Sequence, residues 1–363
     1  MSYIAPKDYA ADPEIVAKIL RTVSGQLELD WMKRVGEPAA FRPSQPARGL
    51  TLDDINQGGY GPDKLPEVIR HNFSMAPRGA LLPPGLPSLG YRVNRKSDVW
   101  ADVAAQLFEE AKSRRWAPAR DVPWSALEPL PHDKQRELAL GQLATSLISI
   151  GLVSCDVAAS WEWRMNQEFH EIKYLLCAQM FDAARIAEAF RKRALFGGGS
   201  LGVDSRPLGE LLKSIFLSDT YPEASAALNL TLFSFVQALG RHWAATASNA
   251  ADSYLGTQLA QDATRFVTYG VDHARSHLHA RPLQAEALAD HLDLCENALV
   301  GALAAPEMIE PLMLVSGGFA PVAAFYGRTA DEYFRRCAAA GLGDRRDASP
   351  LTPFLRMLEG DAS

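Results

Sequence analysis

The sequence lacks the features that mark secreted and membrane-spanning proteins. Its four cysteines (Cys155, Cys177, Cys295 and Cys337) are widely spaced and form no C-x-x-C pair, so we expect free thiols in a reducing compartment. The longest apolar stretch, 143–153, is broken by polar residues and is shorter than the roughly 18 to 20 residues of a membrane span. The opening MSYIAPKDYA has no apolar core, unlike a secretory signal. We therefore predict a cytoplasmic protein that does not enter a membrane.

An excess of charge of either sign is also missing. The net charge is −6 over 363 residues, and 22% of the chain is charged. This balance gives no electrostatic reason to expect a nucleic acid or an anionic membrane as a partner. The hydrophobic content of 47% is enough for one large core or two modest domains.

Proline and glycine are frequent before residue 98 and sparse after it. We interpret 1–97 as an irregular N-terminal arm with short helices at 13–23 and 63–71. Apolar side chains along the arm favour packing over a core or a partner rather than disorder. These apolar residues are Tyr60, Phe73, Leu81, Leu82 and Leu86.

From Asp98 onward, apolar residues recur every three or four positions, which predicts an all-α fold. No stretch alternates with period two for long enough to predict a sheet. Four long helices argue for an antiparallel four-helix bundle at 98–280, followed by a helical C-terminal extension at 281–363. The predicted helices are 98–114, 133–164, 167–195, 206–218, 221–248, 251–280, 284–303 and 329–341.

A short motif occurs twice, eighty positions apart (262 minus 182). Residues 182–186 read DAARI and residues 262–266 read DATRF, each within a long predicted helix. Asp182 and Arg185, like Asp262 and Arg265, are three residues apart and face each other across one helical turn. The repetition indicates a pseudo-twofold pair of helical hairpins. Two solvent-exposed ion pairs are the alternative interpretation.

The two motif-bearing segments, LLCAQMFDAARIAEAFRKR and LAQDATRFVTYG, together with RRWAPARDVPWS, resemble the ferritin-like superfamily. The similarity is to its diiron oxidase branch, which includes the ribonucleotide reductase small subunit and diiron N-oxygenases, and it covers roughly 98–280. The resemblance implies a ferritin-like bundle in which a Glu and a His, three residues apart, hold iron from each hairpin. One further carboxylate comes from each preceding helix.

The sequence departs from that pattern at the metal-binding positions. Ala183 and Ala263 stand where the family has Glu, and Ile186 and Phe266 stand where it has His. The upstream carboxylates fall near Ile150 and near Phe233, in segments that contain no Asp or Glu. Hydrocarbon side chains cannot replace the water shell of iron, so we expect no diiron cofactor.

The Asp and Arg residues of the repeat are retained. In the family, residues at these positions orient the metal ligands and tie helices together, so the resemblance implies that Asp182, Arg185, Asp262 and Arg265 keep the second role.

Other polar residues are candidates for a different site. His273 and His277 lie one helical turn apart, a spacing that can bind zinc or copper, although histidines late in a helix also interact well with its negative end. Asn229, Gln237 and His242 are possible polar contacts for an apolar or aromatic substrate in the emptied bundle core.

Three functional hypotheses follow. The first is a ferritin-like subunit without catalytic activity that forms a homodimer, or a heterodimer with a metal-bearing diiron paralogue. The second is a metal-independent enzyme or binding protein for an apolar small molecule. The third is an oxidoreductase with a metal site displaced to the two histidines. The sequence does not specify a substrate or a pathway.

Overall fold

The computed structural model describes residues 8–32, 40–56, 61–71, 74–77, 80, 85, 89–128 and 133–360. The chain divides into two compact units, Met1–Tyr91 and Arg92–Ser363. The apolar arm residues Tyr60, Phe73, Leu81, Leu82 and Leu86 lie outside the described residues. The predicted boundaries at 98 and at 281 stay predictions.

The first unit contains two α-helices, α1 (Pro13–Val23) and α2 (Leu52–Ile55), among its described residues. The bounds of α1 match the predicted 13–23, and the Asp12 carboxylate accepts the first free backbone N–H groups. The predicted helix at 63–71 is wrong, since only a 3-10 turn, Pro62–Lys64, forms there. Pro66 explains the difference, because a proline disfavours helical geometry in the preceding residue, and Leu65 is extended.

The second unit is helical, and the prediction of an all-α fold is confirmed. Throughout the described ranges, the only extended pairings are isolated bridges, Ser74 with Gly90 and Val93 with Met165. The helices that precede the second hairpin are α3 (Ala104–Ser113), α4 (Pro118–Asp121), α5 (Lys134–Glu162), α6 (His170–Leu195), α7 (Arg206–Phe216) and α8 (Tyr221–Ser225). A π-helical segment, Ala226–Leu232, leads into α9 (Phe233–Thr246), followed by α10 (Ala250–Ala280), α11 (Ala285–Ala304), α12 (Pro306–Ser316), α13 (Phe319–Ala339) and α14 (Leu351–Glu359).

Two antiparallel helical hairpins form the centre of this unit. Helix α5 packs along α6, and α9 packs along α10. Glycine allows close approach in both hairpins: a Cβ on Gly151 would lie 2.7 Å from the Ala183 carbonyl oxygen, and one on Gly240 would lie 2.7 Å from the Ala260 nitrogen. The second hairpin contacts the first through α10 and α6. This is the paired-hairpin arrangement that the repeated motif predicts.

The C-terminal helices pack against both hairpins. Helix α11 contacts α7, α12 contacts α5, and α13 contacts α9. The sequence did not predict α12 or α14, and it predicted only the second half of α13. Helix α12 begins at Pro306, contains Pro311 and ends at Gly317, so its residues read as helix breakers.

The predicted helix at 98–114 begins only at Ala104. Before it, the carbonyl oxygens of three consecutive residues face hydrogen-bonding side chains of α10 instead of backbone N–H groups. The pairs are Ser97 with His277, Asp98 with His273, and Val99 with Tyr269. These contacts hold 97–99 out of a regular helix.

Helix α5 is long and apolar enough, by length and composition, to cross a membrane, with a mean hydropathy of 1.7 in its most apolar window. The segment Pro282–Ala304 and α12 also pass that test together, with a bend of 56° between them. The prediction from the sequence rested on 143–153 alone and included neither segment. Of the α5 window, 61% is buried inside the structure, as in the core helix of a soluble protein. Absence from the membrane stays a prediction.

Candidate functional site

The four charged residues of the repeated motif form one buried network between α6 and α10. All four are between 0 and 3% exposed. Arg185 Nη2 donates to Asp182 Oδ1 at 2.6 Å and to Asp262 Oδ2 at 2.8 Å. Arg265 donates through Nε to Asp182 Oδ2 at 3.0 Å, and through Nη2 to Asp182 Oδ2 and Asp262 Oδ1, each at 2.5 Å. Each guanidinium therefore contacts both carboxylates. The alternative of two solvent-exposed pairs does not match this burial.

A tryptophan completes the network. Trp116, between α3 and α4, donates its indole N–H to Asp262 Oδ2 at 3.0 Å. Its ring also lies 5.2 Å from the guanidinium carbon of Arg185. From the sequence, Trp116 belongs to a segment that resembles the family and has no predicted role. The contact with Asp262 could not be predicted, because the two residues lie 146 positions apart along the chain.

Burial and mutual charge shape the electrostatics of the network. Desolvation and the neighbouring Asp262 carboxylate raise the pKa of Asp182 from 3.8 to about 6. Burial acts to lower the pKa of Arg265, but the carboxylates of Asp262 and Asp182 outweigh it and raise that pKa. Two acids and two bases balance in formal charge, so the network can hold two helices together without a net buried charge.

Hydrocarbon fills the positions adjacent to this network. Ala183, Ile186, Ala263 and Phe266 are each at most 1% exposed. The rings of Phe233 and Phe266 stack in parallel, with centroids 3.8 Å apart and an interplanar angle of 2°. This stack lies within the second hairpin, where α9 packs along α10.

Ile150, also buried, lines an apolar cavity of about 40 Å³ together with residues of α9 and the C-terminal helices. Cavities that take drug-sized ligands are roughly 300 to 1,000 Å³. This cavity is far smaller than that.

The three candidate polar contacts do not come together. Asn229 lies in the π-helical segment, where its Oδ1 accepts from Gln179 at 3.3 Å and its Nδ2 donates to Ser225 Oγ at 3.1 Å. Gln237 Nε2 donates to Thr264 Oγ1 at 2.7 Å, on the side of an open groove between α9 and α10.

His242 lies still further from the bundle centre. Its Nε2 is 2.7 Å from Ser316 Oγ at the end of α12, and its ring stacks on Phe325. Burial, and secondarily Arg328, lower the pKa of His242.

His273 and His277 are buried, and both form hydrogen bonds to neighbouring protein groups. His273 Nδ1 is 2.9 Å from Ser225 Oγ and its Nε2 is 3.0 Å from the Asp98 carbonyl oxygen, so both ring nitrogens are engaged. Burial and the nearby His277 lower the pKa of His273 to about 3. Across the described part of the chain, no group of three or more His, Cys, Asp or Glu side chains is placed to hold a metal ion.

Two buried features were assigned no functional role from the sequence. Gln179 lies one turn before Ala183 on the same face of α6, and this spacing could have identified it. The π-helical segment Ala226–Leu232 was read as ordinary helix. Such segments are often found at functional sites.

The fold and the site together define an all-α protein in which two helical hairpins are joined by a buried network of two acids and two bases. No protein-family model matches the sequence, and no curated protein matches it. Solved structures do match. One is a mutant of an R2-like ligand-binding oxidase with an aerobically reconstituted Mn/Fe cofactor, with a TM-score of 0.49 and 16% sequence identity. The match covers 64% of this chain and 92% of that chain.

Proposed function

We propose that this chain is a ferritin-like protein without a diiron centre, and that it acts as a subunit without catalytic activity of its own. It pairs with itself or with a metal-bearing oxidase paralogue. The observation that carries the proposal is the contrast within one motif: the charged Asp and Arg side chains form a complete network, while hydrocarbon occupies the adjacent ligand positions.

The residues present do not fit a diiron centre. Iron needs carboxylate or imidazole ligands, and none is offered by the side chains at the six positions that the resemblance assigns to ligands. These are Ile150, Ala183, Ile186, Phe233, Ala263 and Phe266. Two of these positions hold aromatic rings, Phe233 and Phe266, which stack on each other within the second hairpin. The carboxylates beside these positions, Asp182 and Asp262, already accept hydrogen bonds from the Arg185 and Arg265 guanidinium groups.

The charged network then serves the fold. Asp182 and Arg265, on different helices, bond to each other, as do Arg185 and Asp262. With hydrocarbon at the ligand positions, these residues have no metal ligands to orient. Their remaining role is to fix the two hairpins in register.

An exposed apolar strip on the first hairpin favours pairing with a second subunit. On α6, Tyr174, Cys177 and Phe181 are exposed at spacings of three and four residues, and Phe181 is 60% exposed. Leu152 on α5 is 55% exposed. Apolar side chains grouped on one helix face are typical of an interface.

The oligomeric state in solution tests the subunit role. We expect a dimer, or a complex with a metal-binding homologue when the protein is purified from its native host. Phe181→Asp should weaken that assembly because it places a charge at the interface. Leu294→Asp is the matched control, since Leu294 is 70% exposed on α11, away from the strip. A monomer that brings no homologue with it, or an assembly that tolerates Phe181→Asp, would refute the role.

The packed centre favours this proposal over a binding protein for an apolar ligand. The cavity beside Ile150 has a volume of about 40 Å³, less than such a ligand requires. The candidate contacts Asn229, Gln237 and His242 bond to three different neighbours rather than converging on one cavity.

A further inference from the structure

A second cavity lies at one end of the bundle, away from the positions discussed above. Its volume is about 220 Å³, and it opens between the start of α8 and the end of α10. Trp161, Tyr221 and His277 line it and are themselves buried, so they form its floor. No residue of the repeated motif lines it. This volume suits a ligand smaller than a typical drug.

His277 brings an unused acceptor to the floor. The side chain is 4% exposed, and its Nδ1 lies 2.8 Å from the Ser97 carbonyl oxygen. A carbonyl can only accept, so Nδ1 carries a proton, and in the singly protonated ring the lone pair lies on Nε2. Among the described residues, Nε2 has no hydrogen-bond partner. Nε2 can therefore accept a hydrogen bond from a ligand N–H group.

Trp161 brings an unused donor. Its indole N–H is buried and has no hydrogen-bond partner within the ranges that the structure describes. The floor of the cavity therefore combines one unmet acceptor with one unmet donor, beside the aromatic ring of Tyr221.

The rim carries both signs of charge. Arg281 Nη1 donates to Asp98 Oδ1 at 2.9 Å, so these two charges are already paired. Arg92 and Asp219 also line the cavity, are exposed, and form no ion pair with any described residue. The half-buried carboxylate of Glu223 lines the same cavity and also forms no ion pair with a described residue. One unpaired cation and two unpaired anions at the same opening match a ligand that carries both charges.

We propose that this cavity binds a small zwitterion, an α-amino acid or a close analogue. The ligand's ammonium group donates to His277 Nε2 on the side of Asp219. Its carboxylate lies on the side of Arg92. The site is separate from the bundle centre, so it is independent of whether the chain holds metal.

Calorimetric titration of the full-length protein with the standard L-amino acids tests the proposal. Two partial ligands serve as controls: ethanolamine, which lacks the carboxylate, and propionate, which lacks the amine. We expect at least one amino acid to bind and both partial ligands to bind at least about tenfold more weakly. Absence of binding by every amino acid, or equal binding by ethanolamine or propionate, would overturn the proposal.

The variant His277→Asn locates the site. Asparagine keeps a donor for the Ser97 carbonyl but removes Nε2, so we expect binding to weaken about tenfold. His279→Asn, at an exposed position on the same helix, is the matched control and should bind as the unmodified protein does. If His277→Asn does not fold, Asp219→Asn at the exposed rim replaces it, with a smaller loss expected. Unchanged binding in the folded variant would place the ligand elsewhere and refute the site.

Discussion

Helices α6 and α10 each contribute side chains to two buried sets, one charged and one apolar, and the two sets are stabilised in different ways. Asp182 and Asp262 begin a buried set of charges, and Ala183 and Ala263, one residue later, begin a buried set of hydrocarbon. Each side chain of the charged set depends on hydrogen bonds to the others, so removing one leaves its partners unpaired. The hydrocarbon set requires only that apolar side chains fill the available volume. The apolar residues at the centre of a bundle can therefore change as long as their volume is kept, while its polar ties have to remain complete.

The largest expected effect comes from breaking the charged set. Asp262→Ala should lower the free energy of unfolding by about 3–5 kcal/mol, because it leaves two buried guanidinium groups and the Trp116 indole short of an acceptor. Denaturant unfolding measures it. Glu188→Ala is the control, because Glu188 is exposed on α6 and should cost at most about 0.5 kcal/mol. If the two substitutions proved equally mild, the network would not be a structural tie.

The hydrocarbon set should respond to volume instead. Phe266→Ala should lower the free energy of unfolding by about 3 kcal/mol, because it removes one ring of the stack with Phe233 and leaves a cavity. Phe266→Leu keeps most of the volume and should cost about 1 kcal/mol. The same unfolding measurements apply to both variants. An Ala variant as stable as the Leu variant would mean that the centre is not closely packed.

The smallest expected effect is the pH dependence of stability that Asp182 contributes. The folded-state pKa of Asp182, about 6, lies above the ordinary value of 3.8, so the native state holds an extra proton between those values. The free energy of unfolding therefore falls as the pH rises through that window, by something on the order of 1–3 kcal/mol.

Asp182→Asn cannot titrate and should remove that part of the pH dependence. The comparison needs unfolding free energies of both proteins at several pH values across the window. Parallel pH profiles for the two proteins would contradict the raised pKa.

Part of this arrangement could be predicted from the sequence. The repeated motif indicated two long helices related by a pseudo-twofold, and α6 and α10 carry it as expected. The pairing of Asp182 with Arg265 could not be predicted, because spacing along one helix identifies only neighbours within that helix.

The positions of the Gln237 and His242 side chains also could not be predicted from the sequence. The π-helical segment adds residues to its turns, and it rotates the side chains that follow relative to a continuous α-helix. A reading with regular α-helical periodicity therefore assigns the wrong face after residue 232. The non-helical conformation of 97–99 could not be predicted for a different reason. The side chains that hydrogen-bond to its carbonyl oxygens come from α10, far along the chain.

The proposed function rests on hydrocarbon side chains at the six positions that the resemblance assigns to metal ligands. Elemental analysis tests this most directly, on full-length protein expressed with abundant iron and manganese and purified without chelators. A metal-binding homologue treated in parallel confirms that loading works. We predict far less than one transition-metal ion per chain. Two ions per chain, lost on replacing a side chain of α6 or α10, would contradict the account.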